Sequence, residues 1–465
     1  MLVMLCATYA AAQQPVSKDA AQPAQPARQA PPPSAAPRDF KLPAGRTVTL
    51  PNGMKVTMIP FGTVPKATVR LYVRTGNVDE TAQQTWLADL VGDLLPEGTT
   101  TRSGQQIAEQ TAGMGGSLGI GIGLDQATIG GDVLGERAAE MIRLVADVVR
   151  NPLLPASELP RIKATRLRSL AVQRSQPGAL AQERFAQVMY GDHPYGRYFP
   201  TEQQLQGYTI EQVRAFHAAN FGAARSQLYV VGVFDQAAAE RAAREAFGAW
   251  AAGPPPSKNP PTPNAKRSVA LIDRPDAVQS TLVLGLPVPD ASNKDYTALV
   301  VTDALLGGAF GSRITSNIRE QKGYTYSPGS VVATHATDAY WAETADVTTN
   351  VTGASLTEIF REIDRLRSEA PPAQELSGIK SNLAGVFVIQ NGSRGGIASQ
   401  LQFVNLHGLG EDYLTNYVKR VMSVTPSDVQ RIARDYLDPS KMTLVVVGDR
   451  KTVEPQLAPF VPTVP

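Results

Sequence analysis

Trp86-Leu-Ala-Asp89-Leu-Val-Gly92-Asp93-Leu-Leu-Pro96-Glu-Gly98-Thr99 is the stretch on which the rest of the 465-residue chain turns. Leu87, Leu90, Val91, Leu94 and Leu95 recur at helical spacing, which predicts a short helix with a buried apolar stripe that ends before Pro96. Asp89 and Asp93 then stand one turn apart on a single face. Taken by themselves, two such aspartates read as a solvated helix face. An oxygen-only calcium or magnesium site would need several further ligands that this stretch does not supply.

The frame Trp86-Leu-Ala-x-Leu-x-x-x-Leu-Leu-x-x-Gly98-Thr99 resembles the Gly-Leu-Ala-His-x-x-Glu-His-x-Leu-x-x-Gly-Thr signature of the insulinase and mitochondrial-processing-peptidase family of inverzincin zinc peptidases. In that family the two outer positions carry zinc-binding imidazoles, and the inner one carries the carboxylate that takes a proton from water. Here the three read Asp89, Gly92 and Asp93. The resemblance also implies a third ligand, a glutamate, on the second helix of the pair at residues 136–150 and 156–173. No Asp or Glu stands between Glu158 and Glu183, and Arg161, Lys163, Arg166, Arg168 and Arg174 occupy the region instead. The resemblance therefore implies a member that binds no metal itself and is inactive alone.

A second stretch is Gly307-Gly-Ala-Phe-Gly-Ser-Arg313, followed by Arg319-Glu-Gln-Lys-Gly323-Tyr-Thr-Tyr326-Ser327. Gly323 is placed to close a helix with a left-handed cap, and Tyr324 and Tyr326 fall on one face of a strand after it. Read from residue types, this is an exposed arginine beside a half-buried tyrosine pair. The stretch also resembles the most diagnostic motif of the family's second domain. That resemblance implies that Arg319 hydrogen-bonds the substrate backbone, and that Tyr326 polarises the scissile carbonyl and stabilises the oxyanion. Tyr324 falls on the variable site. A planar cationic fork and a phenol donor suit these roles.

With its zinc motif degenerate and this pair kept, the chain is expected to act in trans. It would be the non-metal-binding subunit of a heterodimeric endopeptidase, its partner a homologous subunit with H-x-x-E-H and zinc, and its substrate an extended peptide. The alternative is a non-catalytic structural or peptide-binding protein on the same fold. Gly119, Gly121 and Gly123 alternate with Ile120 and Ile122, so one face of that strand lacks side chains and could hold a peptide by strand addition.

The resemblance implies an α+β fold of two homologous processing-peptidase-like domains, each a mostly antiparallel sheet covered by helices. The residues supply a repeat of their own. Thr209-Ile-Glu-Gln-Val213, a helix and the strand through Gly232 recur as Thr425-Pro-Ser-Asp-Val429, a helix and the strand through Gly448 at the same separation. A proline-rich linker at 253–266 divides a first domain at 46–252 from a second at 267–456, followed by a tail at 457–465.

Residues 1–12 read as a signal-peptide remnant, and 13–45 as a disordered Pro/Ala/Gln-rich segment. The expectation is a soluble exported protein, periplasmic or secreted, whose lone Cys6 leaves with the signal. No stretch has the length and apolarity of a membrane span. A net charge of +2, from 44 Lys+Arg and 42 Asp+Glu, gives no basic field for nucleic acid. His193, His217, His335 and His407 stand apart in sequence and read as structural. Ser117 sits in a G-x-S-x-G that runs into a strand instead of a helix, and reads as structural too.

Overall fold

The computed structural model describes residues 40–256, 258–410 and 412–462; the signal-peptide remnant at 1–12 lies outside them. The first sheet begins with a hairpin across Pro51-Asn52-Gly53, formed by β1 (Arg46–Thr49) and β2 (Lys55–Pro60). It is completed by β3 (Lys66–Val73), β4 (Gly119–Ile122), β5 (Ala127–Leu134) and β6 (Ser226–Gly232), in the order β1-β2-β6-β3-β5-β4. The second sheet comprises β7 (Ser268–Asp273), β8 (Gln279–Val288), β9 (Gly329–His335), β10 (Asp338–Thr348) and β11 (Thr443–Gly448). Its order is β7-β11-β8-β10-β9.

With β1 set aside the two orders are one order, taken twice in the same chain sequence. Even the exception to antiparallel pairing recurs, because β2 runs parallel to β6 and β7 runs parallel to β11. The repeated Thr opens a helix in both halves. Thr209 caps Ile210–Asn220 and Thr425 caps Pro426–Tyr436, each with a reciprocal capping box to the residue three positions on. Each helix then delivers the chain to β6 or β11 at the centre of its sheet.

The centre strands Leu228-Tyr-Val-Val and Leu444-Val-Val-Val are apolar without alternation and buried on both faces. One face is covered from within the half. Leu87–Leu94, Ala138–Arg150 and Gln236–Phe247 pack on the first sheet, and Thr352–Ser368 and Pro426–Tyr436 on the second. The opposite face is covered by the other half. Phe185 and Met189, on the helix Pro177–Tyr190, lie on Val283 of β8 and Val445 and Val447 of β11. In return Ile397 and Ala398, on the helix Arg394–Leu406, lie on Ile59, Tyr72, Tyr229 and Val231 of the first sheet. Each half lends one helix to the other, which makes the described residues one compact unit.

The same packing holds chain segments that the sequence reads as loose. Phe40 meets Phe387 edge-on at 5.0 Å and Leu42 joins the Tyr72–Tyr229 cluster, so the segment drawn as disordered to residue 45 is packed from Phe40 onward. The proline-rich connection is pinned by the Asn264 N–H, which donates to the Met189 carbonyl at 2.7 Å. At the other end, Phe460 stacks on Phe360 at 5.6 Å.

Candidate functional site

The helix Leu87–Leu94 forms where its apolar spacing places it, with Leu87, Leu90, Val91 and Leu94 buried. Its first N–H groups are met by a buried carboxylate. Glu80 accepts from the Trp86 N–H at 3.1 Å and the Ala88 N–H at 2.8 Å, and from Asn77 Nδ2 at 3.2 Å. Burial pushes Glu80 up to about 8, against the pull of these three donors.

Asp89 and Asp93 do not form a solvated face. Arg166, from the helix Leu159–Ser175, lies between them. Its Nε donates to Asp93 Oδ2 at 2.6 Å and its Nη2 to Asp93 Oδ1 at 2.9 Å, while Nη1 stands 3.2 Å from Asp89 Oδ1. Asn77 Nδ2 donates to the other Asp89 oxygen at 2.9 Å. The guanidinium also sits over the Trp86 ring at 5.8 Å. Burial raises the Asp89 pKa, with Arg166 and Asn77 opposing it. Burial likewise disfavours the Arg166 cation, but its two carboxylate partners outweigh that and its pKa is raised. The solvated reading fails because a cation from a distant helix desolvates and pairs both carboxylates at once.

Gly92 has a steric cause. A Cβ there would stand 2.5 Å from Ile122 Cγ1, so the β4 side chain takes the volume into which a residue at 92 would project. The donor set therefore does not fit the zinc of the resembled family. All four oxygens of the two aspartates are engaged by Arg166 and Asn77, a positive charge lies between the aspartates, and hydrocarbon stands at the base position. Among the described residues no group of three or more His, Cys, Asp or Glu is arranged to hold a metal ion.

The second group is built by two stretches of widened helix. After Tyr296–Asp303 the chain continues as a π-helical turn over Ala304–Gly308, closed by the Ala309 N–H on the Ala304 carbonyl at 3.0 Å. A second π-helical segment, Thr315–Gln321, carries Arg319. It ends as read: Gly323 has φ 65°, and the Tyr324 N–H closes back on the Ile318 carbonyl at 2.8 Å.

Beyond the cap the structure departs from the sequence reading. No strand starts there; Thr325 makes one isolated bridge to Val347, and β9 begins only at Gly329. Tyr324 is half-buried against the second core, whereas Tyr326 is 79% exposed. Arg319, expected to be exposed, has only 24% of its side chain in solvent. The cause is a stack: the Arg319 guanidinium lies 5.1 Å from the Tyr326 ring centre and 4.5 Å from that of Phe310. Its Nε faces Glu320 Oε1 at 3.2 Å.

These residues open on a cavity of about 390 Å³, with Gly307, Gly308, Thr315 and Gly329 among its lining. Behind the glycines lies a buried acidic pair that sequence reading missed. Asp303 Oδ1 accepts from Ser330 Oγ at 2.5 Å and Trp341 Nε1 at 2.8 Å, and burial pushes Asp303 up to about 6. Glu343 is fully buried beside it; burial first, and the Asp303 charge second, push it well above the usual carboxylate range. Glycine is required in front of them, because a Cβ at Gly307 would stand 2.5 Å from Glu343 Oε2 and one at Gly308 2.6 Å from Asp303 Oδ2. The Gly-Gly pair could have flagged a close approach, but nothing in sequence says that acids approach it.

The polar and ring contacts of Arg319 and Tyr326 lie in the second half and those of Arg166 in the first. Fold and site together define a duplicated metallopeptidase scaffold whose first-half helix is closed by an internal ion pair. A model of the insulinase family (peptidase family M16) matches residues 57–199, and one of the peptidase M16 inactive domain matches residues 207–383. The chain belongs to the insulinase (M16) peptidase family.

It is 24% identical over 413 residues to an uncharacterized zinc protease of Streptomyces coelicolor, covering 87% of this chain and 90% of that protein. It is 27% identical over 410 residues to one of Mycobacterium bovis, covering 85% and 91%. A crystal structure of a peptidase M16 inactive domain from Pseudomonas fluorescens superposes with a TM-score of 0.80 at 26% identity, covering 87% of this chain and 98% of that one. No described helix is long and apolar enough to cross a membrane.

Proposed function

We propose that the chain is the non-metal-binding subunit of a two-chain zinc endopeptidase. It holds no zinc of its own, and it lends Arg319 and Tyr326 to the site of a homologous subunit that carries H-x-x-E-H. The observation that carries this reading is an asymmetry within one chain. Arg166 closes the helix Leu87–Leu94, while the Arg319–Tyr326 pair is kept on an open cavity with Tyr326 in solvent. A guanidinium grips backbone carbonyls and a phenol donates to the oxygen that gains charge as the peptide bond breaks. We also propose export, from the signal-like residues 1–12.

The test is reconstitution of the chain with its H-x-x-E-H homologue and an extended fluorogenic peptide. Neither subunit alone should cleave; the mixture should. Arg319→Ala and Tyr326→Phe should each cost on the order of a hundredfold in kcat/KM. Mixtures that cleave at the wild-type rate with either variant refute the completing role.

A second reading, a peptide binder without turnover, is favoured by one feature. β4 is an edge strand whose Gly119 and Gly121 are exposed, as is Gly123 just past its end, so an extended peptide could pair with its free edge. Binding without cleavage in every pairing would select it.

A further inference from the structure

We propose that Phe310 is a positioning residue: with Tyr326 it clamps the Arg319 guanidinium between two rings so that its Nη edge is free to meet a carbonyl oxygen of the bound peptide. The inference rests on the preceding reading for the identity of that oxygen, but its physical content stands on the clamp alone.

Phe310 is 74% exposed and Tyr326 79%, and no other aromatic side chain among the described residues is as open to solvent. Exposure of two large rings is unfavourable unless they meet a partner. Both lie over one cation, at 4.5 and 5.1 Å. The two rings lie against the guanidinium, and the contact with Glu320 occupies Nε. What is left is the Nη1/Nη2 edge, which makes no hydrogen bond to the described residues. The cavity it borders is lined mainly by glycine, alanine and proline beside the two rings, so backbone of a ligand can approach closely.

The fold supplies the precision that such a clamp needs. Phe310 sits at the tip of a short loop whose base is fixed on both sides. On one side the π-helical turn closes at Ala309 on Ala304, and on the other the Ser312 N–H donates to the Ala309 carbonyl at 2.9 Å. Gly308 is seated against Asp303, which Ser330 and Trp341 hold. Arg319 in turn projects from the π-helical segment that faces this loop. A long arginine loses rotamer freedom on binding, and a pre-stacked one has lost much of it already. The gain belongs to ground-state binding and transition state alike, so removal of Phe310 should raise KM and leave kcat nearly unchanged.

Two measurements test this. The first uses the chain alone, labelled with ¹⁵N-arginine, with the Arg319 Nε–Hε signal assigned through Arg319→Lys. Ring currents should displace that signal from the envelope of exposed arginines; Phe310→Ala should return it most of the way, and Phe310→Tyr should restore it. The second uses the reconstituted peptidase, where Phe310→Ala should raise KM by about fivefold, and Phe310→Tyr should recover it. In an Arg319→Ala background Phe310→Ala should add nothing.

A Phe310→Ala chain whose Arg319 signal does not move overturns the clamp, whatever its activity. So does a KM effect that persists undiminished without Arg319. If instead Arg319→Ala has no kinetic effect while the signal responds to Phe310, the clamp stands and the peptidase reading falls.

Discussion

Arg166 grips Asp93 with both arms of its fork, Nε on Oδ2 at 2.6 Å and Nη2 on Oδ1 at 2.9 Å, and so, with its contact to Asp89 Oδ1 at 3.2 Å, joins two helices. One guanidinium supplies the positive charge between the two aspartates. It holds the two helices together through carboxylates that are already paired.

If Arg166 fills that role, Arg166→Ala should destabilise the protein by about 2 to 3 kcal/mol, less than for a fully buried pair because a third of Asp93 is in solvent. The pH dependence has a definite sign. Asp89 already has a raised pKa in the folded protein, and loss of the cation raises it further. A carboxylate raised on folding stabilises below its unfolded pKa, and that contribution is lost as pH rises through the folded value. The deficit of the variant should therefore be larger at pH 8 than at pH 4.5 in thermal unfolding. Equal melting temperatures for variant and wild type at both values would remove Arg166 from the account.

Gly92 makes a separate prediction. Alanine in place of Gly92 gains about 1 kcal/mol of helix propensity but drives a methyl into Ile122 Cγ1 at 2.5 Å. The clash should win, and Gly92→Ala should lose on the order of 1 kcal/mol. Adding Ile122→Ala opens the space, so the double variant should recover most of the loss attributable to the clash in a double-mutant cycle. Additive losses would mean that the two residues do not compete for one volume.

Much of this was legible from local pattern. The apolar stripe of Leu87–Leu94 fixed that helix, the Thr209 and Thr425 repeats located the matching centre strands, and Gly323 marked the end of its helix. What could not be read was set by distant partners. Arg166 is 73 residues from Asp93, and no spacing rule links a charged helix to the aspartates it will cover. The Tyr324–Tyr326 alternation suggested a strand, but the cap and the single Thr325 bridge leave those residues out of the ladder. The acids behind Gly307 and Gly308 are Asp303 and Glu343 of β10, 40 residues apart in sequence, and no local pattern joins them.

Those acids should be visible in the pH dependence of stability. Asp303 is raised from 3.8 to about 6, which corresponds to about 3 kcal/mol lost as pH rises through that window; Glu343, raised well above its usual range, extends the loss to higher pH. The protein should thus be more tolerant of mild acid than of mild base as far as this pair decides. Glu343→Gln removes one of the two charges, so it should raise the melting temperature at pH 8 and leave it nearly unchanged at pH 5. Parallel pH profiles for variant and wild type would place the pair's titration elsewhere.

The exchange of helices between halves bears on how the chain unfolds. Phe185 is 1% exposed and lies on the second sheet although it belongs to the first half of the sequence, and Ile397, fully buried, makes the reverse contact. Neither sheet has both faces covered without the other half's helix, so a half that unfolds exposes the centre strand of its neighbour. Phe185→Ala should cost about 3 to 5 kcal/mol, and Ile397→Ala about 2 to 5. Each should lower a single cooperative calorimetric transition, with amides of β6 and β11 losing hydrogen-exchange protection together. Two resolved transitions, with Phe185→Ala shifting only one of them, would show that each sheet is stable without the helix it borrows.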